Sequence, residues 1–272
     1  RRKGGWTFRL AVGWLVLVLA VTVLGRLLPF VDDPNKKNAK AILKPPSMDH
    51  WFGTASFGQD VFSRVVVGAR ISLFVGFMVT LIGIVIGGAL GLFAGYYKGW
   101  LDSIVRLMIS VTLAIPALLL VIFIVAIRNQ SLSTVILAVS LLAIPALARI
   151  VRASTLQVAD RDYVKAARVL GVKKLSILIR EVLPNVMPAL VSFAFLSFGI
   201  ILVAESSLAF LGLSVEAPTI TWGSIIAEGR IKFDKTPYMV FLPGAVLFLT
   251  VLSLNFVGDQ LLKRFDIKES SL

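Results

Sequence analysis

Long apolar runs alternate with short charged ones along this chain. Six runs reach the roughly 20 residues that a helix needs to cross about 30 Å of hydrocarbon. They cover residues 8–30, 71–96, 104–127, 132–151, 184–211 and 239–262. The pattern predicts six membrane-spanning helices. Two intervening stretches, residues 31–70 and 212–238, are broken by Pro34, Pro45, Pro46, Pro218 and Pro237 and read as loops, each with room for one short helix. The pentapeptide Ala-Ile-Pro-Ala-Leu occurs twice, at 114–118 and 143–147, inside the third and fourth runs. Each proline, Pro116 and Pro145, should kink its helix. Gly83, Gly87, Gly88 and Gly91 recur at about one-turn spacing in the second run, which predicts close helix packing there.

Composition strengthens the membrane reading. Of the 272 residues 57% are hydrophobic and only 16% charged, and the mean hydropathy is +0.90. A soluble domain of this size has no way to bury so much apolar surface. The first run follows "RRKGGWTFR" but is too long for a signal-peptide core, so it reads as a retained anchor. The net charge of +13 then speaks of topology and anionic lipid rather than nucleic acid. Eight of the 28 basic residues fall between Arg149 and Arg180. The excess of basic residues in alternate connections places both termini on the cytoplasmic side. Lys36, Lys37, Lys40 and Lys44 in the first outer loop run against that bias. The domain organisation is thus an anchor at 1–30, an extracytoplasmic loop at 31–70 and a five-helix core at 71–272. That core carries a cytoplasmic insert at 153–183 and an outer loop at 212–238.

The insert is the most distinctive stretch. In "DYVKAARVLGVKKLSILIREVLP", residues 162–184, Tyr163, Ala166, Ala167 and Leu170 recur at i, i+3, i+4, i+7. Arg161, Lys165 and Arg168 occupy the other face. Asp160 or Asp162 should cap the helix start, and Gly171 should stop it in the left-handed conformation. A second helix should run over 173–183, with Pro184 breaking it as the fifth span begins. Spacing alone allows a surface helix lying on the membrane or a docking helix for a partner.

Several polar residues invite chemistry. Glu205 is the carboxylate well inside a predicted span, and such a charge marks a hydrogen-bonded partner or a pathway or gate. Asn255 and Asp259 lie four apart and can share a face of the last span. Trp6, Trp100 and Trp222 sit near predicted interfaces, as anchoring indoles do. The lone His50 in the outer loop reads as incidental. Asp60, Arg64 and Arg70 would either form a local ion-pair cluster or face an external partner. With no cysteine, one histidine and no paired carboxylates, a membrane enzyme is disfavoured and no catalytic or metal site is expected. No G-x-x-x-x-G-K-[ST] loop is present in this sequence, so ATP is not bound that way.

The insert resembles the cytoplasmic loop of permease subunits of binding-protein-dependent ABC importers: Glu-Ala-Ala, three residues, Gly, nine residues, Ile-x-Leu-Pro. Ala166, Ala167, Gly171, Leu183 and Pro184 match at that spacing, while Lys165 and Glu181 replace the family's Glu and Ile. The stretch 52–73 is similar to the one preceding the second span in oligopeptide and dipeptide permeases. Gly53, Thr54, Gly58, Asp60, Ser63, Arg64, Gly68, Ala69 and Arg70 match, and Ala55 and Gln59 depart. Residues 204–230 and 242–266 resemble the same branch. The resemblance implies a type I permease fold and a C-type subunit paired with a B-type permease as a heterodimer in the bacterial inner membrane. Its other partners would be two ATPase subunits that bind ATP and Mg²⁺, an extracytoplasmic solute-binding protein and a peptide substrate. Nickel or another small solute is the alternative cargo. An ion-driven secondary transporter fits less well, because that class needs internal repeats and several embedded ionisable groups. On this resemblance Asp162, Tyr163, Lys165, Ala166, Ala167, Arg168 and Gly171 would couple to the ATPase, Glu205 and Asn255 would serve the path or a gate, and Asp60, Arg64, Pro218 and Trp222 would meet the binding protein.

Overall fold

In the computed structural model, residues 5–25 and 28–269 are described, with side chains through Lys263. The basic N-terminal residues Arg1–Lys3, and the side chains of Arg264 and Lys268, lie outside the described residues. Helix α1 covers Gly5–Leu24. Helix α2 (Val61–Ile82) runs through a π-helical turn (Gly83–Gly87) into α3 (Gly88–Tyr97). Then come α4 (Gly99–Ala114), α5 (Ala117–Arg128) and α6 (Leu132–Ala159). The insert contributes α7 (Asp162–Val169) and α8 (Lys174–Ile177). A second π-turn, Leu178–Val182, leads into α9 (Leu183–Phe210). Helices α10 (Trp222–Ile231) and α11 (Tyr238–Glu269) complete the chain. Among the described residues, five helices or continuous rods are long and apolar enough to cross a membrane, and a bent pair, α4 with α5, supplies a sixth crossing if it counts as one.

Three departures from the sequence reading matter. First, the second span begins at Val61, so residues 61–70 are helical rather than loop. Asp60 caps this helix, its carboxylate accepting from Ser63 N at 2.7 Å and Ser63 Oγ at 2.8 Å. The resulting rod, Val61–Tyr97, has 37 residues. At 1.5 Å per residue it is roughly 55 Å long, well beyond the hydrocarbon thickness. Second, Pro184 does not break the chain. Lys174–Phe210 is one continuous rod. The π-turn sits just ahead of Pro184, whose ring and missing N–H would disrupt a regular turn at Arg180, and widening the helix there absorbs the misfit. Third, the two copies of Ala-Ile-Pro-Ala-Leu differ. Pro145 is buried inside an unbroken α6. At the first copy the helix ends: Ile115 is extended (φ −77°, ψ 126°) and α4 and α5 meet at 85°.

Packing follows the glycines as expected. A methyl group on Gly91 would sit 2.5 Å from the Ala148 carbonyl and 2.8 Å from Arg152 N, so the backbones of α3 and α6 meet directly. Gly83, Gly87 and Gly95 face the same helix. One buried cluster gathers α3, α6, α7, α8 and the start of α9 at the insert end. A second joins α2, α5, α6 and α9. A third lies at the opposite, loop end, where α2, α10 and the start of α11 enclose Trp222.

Candidate functional site

Two polar assemblies stand at opposite ends of the bundle. At the insert end, α7 is held by a single deep anchor. Val164 is fully buried among Val158, Ala159, Ile177, Leu178 and Val182, with Ala167 packed at the edge. The Arg168 guanidinium lies 5.2 Å from the Tyr96 ring centroid, within cation–π range, and its Nη2 donates to the Ala159 carbonyl at 3.4 Å. Lys98 donates to Asp160 at 2.9 Å across the turn between α6 and α7. That ammonium holds the Asp160 carboxyl below the usual aspartate range. Nearby, Arg152 grips Asp102 through two nitrogens, Nε on Oδ1 and Nη2 on Oδ2, the latter at 2.8 Å. Arg106 approaches the same carboxylate at 3.4 Å.

The predicted caps are corrected here. Arg161, in extended conformation, stands at the N-cap of α7, with no side-chain cap bond, and Asp162 opens the first turn, where a carboxylate meets the positive end of the helix dipole. Asp160 instead closes α6. The predicted apolar face also divides. Ala167 turns toward the core beside Val164, whereas Tyr163, Ala166 and Leu170 remain exposed. The β-branched Val164 fills the core better than alanine does, and this sets the helix rotation.

Gly171 behaves as expected, with φ +76°. Val172 N donates to Ala167 O and Gly171 N to Arg168 O, both at 3.1 Å, which is the paired bonding of a Schellman stop. Beyond the anchor, the insert projects an apolar tip: Val169 is 87% exposed and Leu170 80%. Lys165 pairs with Asp162 on the open surface, at 3.1 Å, a contact worth little by itself.

At the loop end, Asp60, Arg64 and Arg70 do not form a cluster among themselves, the first of the two arrangements that the sequence allowed. Asp60 faces His50, with Nδ1 and Oδ1 3.0 Å apart, so His50 is a structural partner rather than incidental. Arg64 reaches Glu228 of α10 at 2.7 Å, and Arg70 stands apart on the exposed side of α2. Gly53 and Gly58 both take positive φ, and Thr54 O accepts from Tyr238 Oη at 3.0 Å. The motif in 52–73 therefore builds a hairpin, a helix cap and a clamp between α2 and α10. Trp222 is completely buried. Its Nε1 donates to Val65 O at 2.9 Å and its backbone N to Ser72 Oγ at 3.0 Å. Neither it nor the largely buried Arg64 offers a partner a surface, because packing of α10 on α2 consumes both. Pro218 is exposed and borders a cavity of about 520 Å³ with Asp32, Asp33 and Asn35.

Glu205 lies beneath this loop, 1% exposed, and accepts from Ser214 Oγ at 2.9 Å. Asn255 is half-buried and packs its carboxamide against Gly199 of α9, while Asp259 is exposed. Sequence reasoning missed Val164, Lys98, Asp102, Arg152 and Glu228. The i, i+4 spacing of Asp102 and Arg106 was one legible signal. The partners far apart in sequence left none.

The comparisons agree with this architecture. The chain is 38% identical over 258 residues to the glutathione transport system permease protein GsiD of Pectobacterium atrosepticum, covering 95% of this chain and 86% of that one. It is 34% identical over 265 residues to the dipeptide transport system permease protein DppC of Alkalihalophilus pseudofirmus, covering 97% and 87%. An inward-facing structure of the MetNI methionine ABC transporter superposes with a TM-score of 0.60 at 19% identity, over 74% of this chain and 96% of that one, which shows a shared fold. Residues 87–269 match the family model described as "Binding-protein-dependent transport system inner membrane component". With its crossing rods and anchored insert, the chain belongs to that family of membrane-spanning transport components.

Proposed function

We propose that this chain is one permease of an ATP-driven importer that carries di- or oligopeptides across the bacterial inner membrane by alternating access. Its partners are a second, B-type permease, two ATP-binding subunits and an extracytoplasmic solute-binding protein. The relatives named for glutathione and dipeptide transport support the cargo class. The observation that carries the coupling role is the insert. A helix held by one buried valine presents Val169 and Leu170, 87% and 80% exposed, to whatever lies beyond. Exposed apolar residues on a firmly anchored helix mark an interaction site.

In this reading the insert end and both termini face the cytoplasm. ATP and Mg²⁺ bind the partner subunits, and this chain makes and breaks no bond. Closure of the ATPases drags α7. Val164, the Arg168–Tyr96 contact and the Lys98–Asp160 tether pass the displacement to α3, α6 and α9, and the rods rock between outward- and inward-open states. The positions of Asp162, Tyr163, Lys165, Ala166, Ala167 and Gly171 around that anchor support their assignment to the coupling surface. At the other end, Pro218 and the adjoining cavity face the binding protein, with Asp60, Arg64 and Trp222 holding that surface from beneath. Glu205 links α9 to the outer loop through Ser214, and Asn255 serves helix packing.

The test is gentle extraction from the native membrane followed by native mass spectrometry. Co-elution with a second permease and two ATPase chains is expected. A lone chain or homo-oligomer under equally mild conditions would overturn the reading and favour a self-sufficient transporter.

A further inference from the structure

The break between α4 and α5 has an energetic problem that this chain does not solve by itself. The last four carbonyls of an α-helix, and the first N–H groups of the next, have no partner within their own helix. Here only part of that set is satisfied: Leu119 N and Leu120 N donate to the Pro116 carbonyl at 2.9 and 3.2 Å. The bent pair starts beside the Lys98–Asp160 tether at the insert end. It finishes where Gln130 Nε2 donates to Gly212 O at 2.7 Å at the loop end, so it traverses the bundle. Legs of 16 and 12 residues meeting at 85° have lengths of about 24 and 18 Å. Their ends lie about 30 Å apart, close to one hydrocarbon thickness. The break is therefore at membrane depth.

Non-helical backbone at that depth does not face lipid, where each unsatisfied group costs several kcal/mol; it is buried in protein or lines water. Within this chain it is not buried. Ser110, Ala114, Ile115, Pro116 and Ala117 are all exposed, although both flanking legs pack well, α4 through Val105 and Ile109 and α5 through Val121, Ile124 and Val125. The proline does not compel the break, since Pro145 in the same pentapeptide sits in an unbroken helix. The exposed Ser110 hydroxyl adds a polar group on this side, and no charged residue occurs between Arg106 and Arg128.

We infer that the break at Ile115–Pro116 lines the water-filled pathway through the assembled transporter. Its free backbone carbonyls and N–H groups form a neutral, hydrogen-bonding wall. Such a wall solvates the amide groups of a passing peptide without selecting its charge. This rests on the permease reading above, but its test is separate.

The sequence contains no cysteine, so single thiols can be placed without altering others in this chain. The variants Ser110→Cys, Ile115→Cys and Ala117→Cys, with Val16→Cys on the exposed side of α1 as the reference, are assembled into the complete transporter. Those that retain peptide uptake are treated in membranes with a charged methanethiosulfonate reagent, and labelling of this chain is followed by mass. Hydrocarbon or tight protein burial raises a thiol pKa by a unit or more, so labelling at the break should be at least about tenfold faster than at position 16. Labelling as slow as at position 16, in variants that still transport, overturns the inference and leaves the permease reading intact.

Discussion

Replacing Gly171 tests how the insert is aimed. This residue holds φ +76°, and its two flanking bonds, Val172 N to Ala167 O and Gly171 N to Arg168 O, depend on that conformation. Nothing lies within 4 Å of a methyl group built there, so added bulk meets no clash. The cost is backbone alone. An L-residue in the left-handed region is disfavoured by roughly 1–2 kcal/mol, with β-branched residues worst and asparagine nearly spared. One to two kcal/mol changes the population of the native turn by about 5–30-fold. Gly171→Val should therefore cut peptide uptake into vesicles by a factor in that range, while the chain accumulates normally and the ATPase partners continue basal hydrolysis. Gly171→Asn should transport nearly as well as the native chain. The assay measures labelled-dipeptide uptake and ATP hydrolysis on the same preparation. Wild-type uptake by Gly171→Val, or equal damage by Val and Asn, would refute the claim that the left-handed turn aims the insert.

Other expectations follow from single contacts. Gly91→Val drives a side chain into the Ala148 carbonyl and Arg152 N. Backbone cannot yield as a side-chain tip can, so the thermal stability of the complex should fall by about 1–3 kcal/mol or more; an unchanged midpoint would show that α3 and α6 can separate freely. Glu205→Gln keeps an oxygen acceptor for Ser214 Oγ, so uptake should stay within about twofold if the residue only holds the loop. A loss beyond about tenfold would assign a role to its charge or proton. The Lys98–Asp160 tether sets a pH window. Because the Asp160 carboxyl is lowered when bonded to Lys98, its contribution is present above the ordinary aspartate value near 3.9 and is lost as pH falls through the lowered value. The protection that this tether gives the α7 amides should thus stay constant between about pH 5 and 7, and Lys98→Gln should raise their exchange by the same factor at every pH in that range.

Sequence determined what depends on local chemistry. Runs of about 20 apolar residues marked where the chain crosses lipid, and the spacing of Ala166, Ala167, Gly171 and Pro184 marked the insert. Gly171 was legible because its left-handed turn is a property of one residue, and the glycines of α3 because closely packed membrane helices demand small side chains. Tertiary structure decided what depends on which surfaces meet. Val164 rather than the alanine face became the anchor, since the apolar side chains of α6, α8 and the second π-turn close around it. Trp222 went from a predicted interface residue to the centre of a core, because α10 folds back on α2. His50 and Arg64 found partners 10 and 164 positions away, at Asp60 and Glu228. The two copies of Ala-Ile-Pro-Ala-Leu show the division most clearly. Proline removes one hydrogen bond in both, but only surrounding protein can decide whether the helix bridges that gap, as α6 does against α3, or opens at it, as α4 and α5 do.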